Sequence, residues 1–188
     1  MKLNTLKYCV IIPTYNNELS LLAVIQDVRK YTDAIIIVND GSTDNTEAIL
    51  ASVSGLTIVS YEKNQWKGKA LREGFKKAIE LGYTHAITID SDGQHKGSDL
   101  PGFFKAIEED PQALFIGSRN MNQSNVPGTS SFGNNFSNFW FKFETGIDAP
   151  DTQSGFRSYP IHLYKNIHFY TKKYEFEIEV IVRSAWKD

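Results

Sequence analysis

The chain has 188 residues, 41% of them hydrophobic, and 20 Lys and Arg against 22 Asp and Glu for a net charge of -2. That length suits one domain, for which roughly 150 residues is ordinary, and it can bury about 70% of the unfolded surface without a staple. There is no basic excess to recruit nucleic acid, Cys9 alone excludes a disulfide framework or multi-cysteine zinc site, and no run approaches the ~20 apolar residues of a membrane span.

Apolar, β-branched runs alternate with helical patterns. Residues 8–12 (YCVII) read as a strand and 18–31 as a helix; 34–38 (AIIIV) form a second strand, with a helix over 43–53. A third strand, 56–60 (LTIVS), precedes a helix over 67–81 with Leu71, Phe75, Ala78 and Ile79 at helical spacing and Gly82 as its stop. Residues 84–89 (THAITI) and 113–117 (ALFIG) are two more strands flanking a helix over 98–109. The runs are continuous, not alternating, as in parallel strands covered on both faces. This pattern predicts βαβ crossovers and an α/β, Rossmann-like fold with a mostly parallel central sheet and helices on both faces.

Beyond Arg119 the pattern breaks. Residues 120–131 are polar and turn-rich, a loop or lid, and 132–145 place Phe132, Phe136, Phe139, Trp140 and Phe143 on one helical face. That face reads first as core packing and second as a contact for a lipid acceptor. An extended piece over 152–160 and an amphipathic helix over 174–186 follow. A single domain over 1–188 is expected, with 1–118 as its ligand-binding half.

In open α/β sheets ligands sit at the carboxyl ends of the strands, and there the polar residues of this chain collect. Pro13-Thr14-Tyr15-Asn16 follows the first strand, Asn39 to Asp44 the second, Asp90-Ser91-Asp92-Gly93-Gln94-His95 the fourth, and Gly117-Ser118-Arg119 ends the fifth. Asp90 and Asp92 at a strand exit can hold a hard divalent cation, which takes one or two carboxylates with phosphate oxygens and water. The same residues are also ordinary turn chemistry. Gln94 and His95 are candidate supporting ligands. Asp40 is placed to accept hydrogen bonds from a nucleotide base or ribose, while Ser42 or Thr43 reads as a helix N-cap. Lys67, in Lys67-Gly68-Lys69, opens a helix where positive charge is not favoured by the dipole and reads either as a plain exposed first turn or as a partner for a diphosphate; Arg119 reads either as a surface salt bridge or as a clamp on phosphate. Asp151 to Arg157 (DTQSGFR) reads either as a plain strand or as a carboxylate and an arginine on the acceptor side of a cleft. Cys9 is most simply a small buried strand residue.

The segments IIPTYNN, VNDGSTDNT, ITIDSDGQH, GSR and DTQSGFR, in this order, resemble the family 2 glycosyltransferases of the GT-A fold, and among them the dolichol- or polyprenyl-phosphate sugar transferase branch. The resemblance runs from about Tyr8 to the end of the chain. It implies that Pro13, Tyr15 and Asp40 line the base and ribose pocket, with Asn17, Lys67, Asp90 and Ser91 in the nucleotide site. It implies that Asp90 and Asp92 are the family's DxD, joined by Gln94, on Mg²⁺ or Mn²⁺. Arg119 would face the donor diphosphate or acceptor phosphate, and Asp151 would sit by the acceptor. Asn17 stands where the family commonly has Glu, with Glu18 following, and the basic residues common near Phe132 to Asn135 are missing. Members of the branch usually continue into further strands or membrane-associated helices, which implies a longer native chain.

The expected activity is inverting, metal-dependent transfer of a sugar from a UDP- or GDP-linked donor to an acceptor, a polyprenyl phosphate or other lipid among the candidates. Asp92, Arg119 and Asp151 are the candidate catalytic residues. The cation and Arg119 offset charge growing on the departing diphosphate. Asp151 is a base for a hydroxyl acceptor; a phosphate acceptor is already anionic near neutrality, and Asp151 would then position it. The alternative is a nucleotide-sugar-binding module without turnover. A calcium loop from Asp90 fails because His95 and Pro101 stand where Gly and Glu are needed. With no export signal, the expected location is the cytoplasm, peripheral to the inner membrane face.

Overall fold

The structure is a computed structural model and describes residues 6–117, 138, 142, 145–147, 151–152, 154–166, 170–171, 173 and 175–186. Its elements are β1 (Tyr8–Thr14), α1 (Leu21–Arg29), β2 (Ile35–Asn39), α2 (Thr46–Ser52), β3 (Thr57–Ser60), α3 (Lys67–Glu80) and β4 (His85–Thr88). A 3-10 turn (Gly97–Asp99) leads into α4 (Leu100–Glu109), followed by β5 (Phe115–Ile116), β6 (Arg157–Tyr159), a 3-10 stretch (Ile161–Asn166) and α5 (Glu175–Ala185). They build the expected α/β architecture, a six-stranded sheet in the order β3-β2-β1-β4-β6-β5.

Strands β1 to β4 are mutually parallel, and β6 runs antiparallel to both β4 and β5. The extended piece expected over 152–160 shortens to β6, because the residues before it turn: the Phe156 N–H donates to Ser154 Oγ at 3.3 Å.

The continuous apolar runs are explained by burial on both faces. Val10 and Ile12 of β1, with Ile35 and Ile37 of β2, pack against Leu21, Val24, Ile25 and Val28 of α1 and Leu100, Phe103 and Ile107 of α4. Cys9 and Ile11, with Ile36 and Val38, face Ala70, Leu71, Phe75 and Ala78 of α3 and Phe176 and Val180 of α5. Burying each such aliphatic side chain contributes about 1.5–3 kcal/mol, so the sandwiched sheet dominates stability. Burial lifts the Cys9 thiol to about 12, consistent with a structural role.

Strand order also places the crevice. The chain moves from β1 outward to β2 and β3, then returns so that β4 lies on the other side of β1. The loops after β1 and β4 therefore part in opposite directions and leave a gap at their carboxyl ends, the usual ligand position in such sheets.

Candidate active site

The gap is a cleft of about 350 Å³ lined by Pro13, Thr14, Tyr15 and Asn17 after β1, Asp40 after β2, and Asp90, Ser91 and Asp92 after β4. Asn64, Trp66, Lys67 and Ala70, from the loop before α3 and its first turn, close the wall. Pro13, Tyr15, Asn17, Asp40, Lys67, Asp90 and Ser91, expected in the nucleotide site, are thus on one surface, with Thr14, Asn64, Trp66 and Ala70 added to it.

Polar side chains tie the loops together. Asn17 Nδ2 donates to Ser91 Oγ at 2.8 Å and Ser20 Oγ to the Ser91 carbonyl at 2.6 Å, linking the two sides of the gap. Asn17, standing where the resembled family commonly has Glu, is therefore a brace. Its neighbour does not replace that charge in the cleft: Glu18 Oε2 accepts the Asn45 N–H at 2.8 Å. Asp44 Oδ1 accepts the Thr46 N–H at 3.0 Å, so these two acids satisfy the start of α2, where the helix dipole favours negative charge. Ser42 and Thr43, expected as caps, do not perform that role, because both are engaged by Asn16. Ser42 Oγ accepts its N–H at 3.0 Å, and Thr43 N–H donates to its Oδ1 at 2.8 Å.

Asp40 is 3% exposed, and its Oδ1 accepts the Gln65 N–H at 2.8 Å. Burial raises its carboxyl pKa, and the N–H groups of Gln65 and Trp66 pull it back. This return of the loop needs Gly41: its φ is +74°, and a Cβ there would lie 2.5 Å from the Lys63 carbonyl carbon. The loop ends at Trp66, whose φ of 75° and ψ of 152° fall in a region otherwise almost confined to glycine. Its indole is half exposed, and Lys173 Nζ lies over the ring, 4.4 Å from the centroid.

Lys67 does not stand ready for a phosphate as expected; two carboxylates hold it. Its Nζ is 2.7 Å from Asp90 Oδ1 and 3.1 Å from Glu177 Oε2 at the start of α5. Burial by itself would lower the Lys67 pKa, but Glu177 and Asp90 outweigh it and hold the ammonium above its ordinary range. Sequence reasoning missed Glu177, because acidic residues in a first helical turn are common for dipole reasons alone.

Asp90 and Asp92 present hard carboxylate oxygens to the cleft, the donor type that Mg²⁺ and Mn²⁺ take. Gly155 keeps the Asp90 carboxylate in place, since a Cβ would come within 2.6 Å of Asp90 Cγ. The Gln94 N–H donates to Asp92 Oδ1 at 2.9 Å; the Gln94 side chain is exposed and is not one of those lining the cleft. The His95 ring lies against Phe156, centroids 5.2 Å apart and planes tilted by 48°. Among the described residues, no group of three or more His, Cys, Asp or Glu side chains is arranged to hold an ion. Two carboxylates by themselves would leave the other ligand positions of such a cation to a diphosphate and water.

Asp151 is fully buried and does not line the cleft. Arg157, read as a possible acceptor-side group, is fully buried too. It donates to the carbonyls of Ser154 (2.6 Å), Thr152 (2.7 Å) and Glu177 (2.7 Å), and so ties Thr152 and Ser154 to α5. Arg119, Ser118, the 120–131 loop and the aromatic residues Phe132, Phe136, Phe139, Trp140 and Phe143 lie outside the described residues.

Comparison with known proteins agrees with this arrangement. A family model described as "Glycosyl transferase family 2" matches residues 9–169. The UDP-N-acetylglucosamine--dolichyl-phosphate N-acetylglucosaminyltransferase of Methanococcus voltae is 33% identical over 170 residues, covering 80% of this chain and 68% of that protein. The polyprenol monophosphomannose synthase of Mycolicibacterium smegmatis is 27% identical over 193 residues, covering 96% and 72%. Glucosyl-3-phosphoglycerate synthase from Mycobacterium tuberculosis, crystallised with Mn²⁺, UDP-glucose and phosphoglyceric acid, superposes with a TM-score of 0.77 at 20% identity. That match covers 97% of this chain and 66% of the solved one, just under two thirds of its length, and shows the shared fold.

Proposed function

The chain belongs to glycosyltransferase family 2, and we propose that it transfers a sugar, with inversion, from a nucleotide-diphosphate donor to a lipid-linked phosphate acceptor. The observation that carries the reading is the charge of the cleft wall. Among the described residues, the carboxylates of Asp40, Asp90 and Asp92 face a space whose ammonium, Lys67, is already paired. A diphosphate cannot settle there against like charge unless a divalent cation comes with it. The Mn²⁺ and UDP-glucose in the solved neighbour, and the UDP-linked donor named for the archaeal relative, support a UDP-sugar as the first donor to test.

In this reading Pro13, Tyr15, Asn17 and Asp40 receive the base and ribose, and Asp90, Ser91 and Asp92 receive the diphosphate end. Asp90 and Asp92 would hold Mg²⁺ or Mn²⁺, with the Gln94 N–H fixing the Asp92 carboxylate in place of the side-chain ligation expected of Gln94, and the ion would supply Lewis-acid stabilisation of the leaving diphosphate. Arg119, by the family resemblance of Gly117-Ser118-Arg119, is the candidate to add positive charge for the diphosphate. An acceptor phosphate oxygen forms the bond to the anomeric carbon as the bond to the donor's β-phosphate oxygen breaks, and that electron pair leaves with the nucleotide diphosphate. A phosphate with a second pKa near 6 needs no base, so Asp151 shapes the acceptor side and takes no proton. The chain acts as one domain, residues 1–118 for the donor and the remainder for the acceptor. Among the described residues no helix is long and apolar enough to cross a membrane; the polyprenyl-phosphate acceptors named for relatives suggest work on the cytoplasmic side, peripheral to the inner membrane face.

Thermal shift with UDP, GDP, CDP and dTDP, each with Mn²⁺, Mg²⁺ or chelator, tests the donor site. Ligand at 100 times its dissociation constant adds about 2.7 kcal/mol. Cation-dependent stabilisation by one nucleotide is expected, and transfer from the matching sugar nucleotide to a short-chain polyprenyl phosphate then separates an enzyme from a binding module. No stabilisation by any nucleotide would overturn the reading.

A further inference from the structure

Lys67 joins two parts of the fold that the sheet does not connect directly. It opens α3 on the donor cleft, and its Nζ bridges Asp90, at the exit of β4, to Glu177, in the first turn of α5. The residue before it makes a second bridge in the same direction, since Trp66 carries the ammonium of Lys173 on its ring. Lys173 and Glu177 are therefore seated on the Trp66-Lys67 step by two contacts of different chemistry.

Glu177 is built for more than the contact it makes. It is 6% exposed, and its Oε1 is buried with no hydrogen-bond partner among the described residues, while its Oε2 meets Lys67. Leaving a buried carboxylate oxygen unpaired is costly, and this second oxygen, on the carboxylate that already meets Lys67, offers the ammonium a further acceptor. Asp90, by contrast, is a shared carboxylate: Lys67 and an incoming cation compete for it.

We propose that Lys67 is a resident counter-cation of the donor site, which neutralises Asp90 before a donor binds and shifts onto both oxygens of Glu177 when a divalent cation with the donor diphosphate takes Asp90. Glu177 is then a positioning residue, acting through Lys67 and not on the substrate. The exchange keeps the charge around Asp90 nearly constant, which prevents the carboxylate from being left unpaired in a half-buried wall. It also makes the seating of α5 respond to donor occupancy, because the ion pair that holds α5 to α3 strengthens as the pair to Asp90 is lost. The proposal rests on the reading of Asp90 and Asp92 as cation ligands.

Calorimetric titration of the whole chain with Mn²⁺ alone tests it, using wild type, Lys67→Met, Glu177→Gln and the double variant. Removing the competing ammonium should tighten Mn²⁺ binding about tenfold in Lys67→Met, a direction that damaged folding cannot produce. Glu177→Gln should weaken Mn²⁺ about threefold when Lys67 is present, because the displaced ammonium loses its acceptor, and should change it little in the Lys67→Met background; this non-additivity is the signature of a residue acting through another. Equal or weaker Mn²⁺ binding in Lys67→Met, or the same Glu177→Gln effect in both backgrounds, would overturn the proposal while leaving the donor site intact. If no variant, wild type included, takes up Mn²⁺ with or without UDP, the reading of the cation ligands falls and the proposal with it.

Discussion

The Asp90 carboxylate rests against the backbone of Gly155, and a side chain at 155 would occupy its space: an added Cβ would lie 2.6 Å from Cγ and 2.7 Å from Oδ1. A residue at the exit of β4 and one just before β6 are thus coupled by contact, because those strands are antiparallel neighbours, with Thr88 opposite Arg157. Thr88 Oγ1 donates to the Gly155 carbonyl at 2.7 Å and fixes the approach. Gly155→Ala should therefore displace Asp90 and remove the cation-dependent UDP shift. Gly102, where a Cβ meets nothing within 4 Å, is the control. Gly102→Ala should leave the shift intact and raise stability by about 0.5–1 kcal/mol, the helical preference of Ala over Gly.

The two carboxylates assigned to opposite ends of the reaction should separate in binding and turnover. Asp92→Ala should abolish both the Mn²⁺-dependent UDP shift and transfer. Asp151→Asn, a near-isosteric change at a buried site off the cleft wall, should retain the UDP shift and lower transfer at least about tenfold, or about 1.4 kcal/mol. Nucleotide thermal shift beside a transfer assay gives both readouts.

Trp66 combines a backbone conformation suited to glycine with a half-exposed ring on the cleft wall. Strain of this kind costs about 1–3 kcal/mol and persists where the surroundings or the function require the side chain. Trp66→Gly should relieve the strain while removing a wall of the nucleotide cleft and the platform for Lys173. Denaturant unfolding and UDP titration should show opposite signs: equal or higher stability, and weaker nucleotide binding. Lower stability with unchanged UDP affinity would remove the cleft role of the indole.

Arg157 donates to the carbonyls of Thr152, Ser154 and Glu177 while fully buried. Arg157→Met leaves those acceptors without their donor and should cost about 3 kcal/mol or more in denaturant unfolding. Arg157→Lys should recover only part of it, because one ammonium cannot reproduce the planar fork.

His85 sets a pH dependence. Burial lowers its pKa, the Pro111 carbonyl at 2.8 Å from Nε2 opposes that, and His162 adds a smaller lowering. The unfolded chain thus binds a proton at His85 more readily than the folded one, so the contribution of His85 is complete above its ordinary pKa of 6.5 and is lost as pH falls through its lower folded pKa. Stability should fall as pH is lowered below about 6.5, and His85→Gln should flatten that part of the profile, measured by urea unfolding across pH 5 to 8.

What the sequence determined by itself is the part of the protein encoded by local chemistry. Runs such as Val10-Ile11-Ile12 and Ile35-Ile36-Ile37-Val38 are apolar at every position, which only a strand covered on both faces explains, and their spacing by helical patterns yields the parallel sheet. Polar residues at successive strand exits then indicate one edge, and Pro13, Tyr15, Asp40, Asp90, Ser91 and Asp92 do line one cleft there; Asn17, which lines it too, is marked only by the family resemblance. Tertiary structure decided whatever depends on contacts between distant segments. Glu177 lies 110 positions from Lys67 along the chain, and nothing local marks it as that lysine's partner. The roles of Asn17 as a brace, Glu18 as a helix-end acceptor and Arg157 as a carbonyl clamp follow the same rule. A charged or amide side chain can be satisfied by any donor or acceptor within reach, and the fold alone determines which one is there.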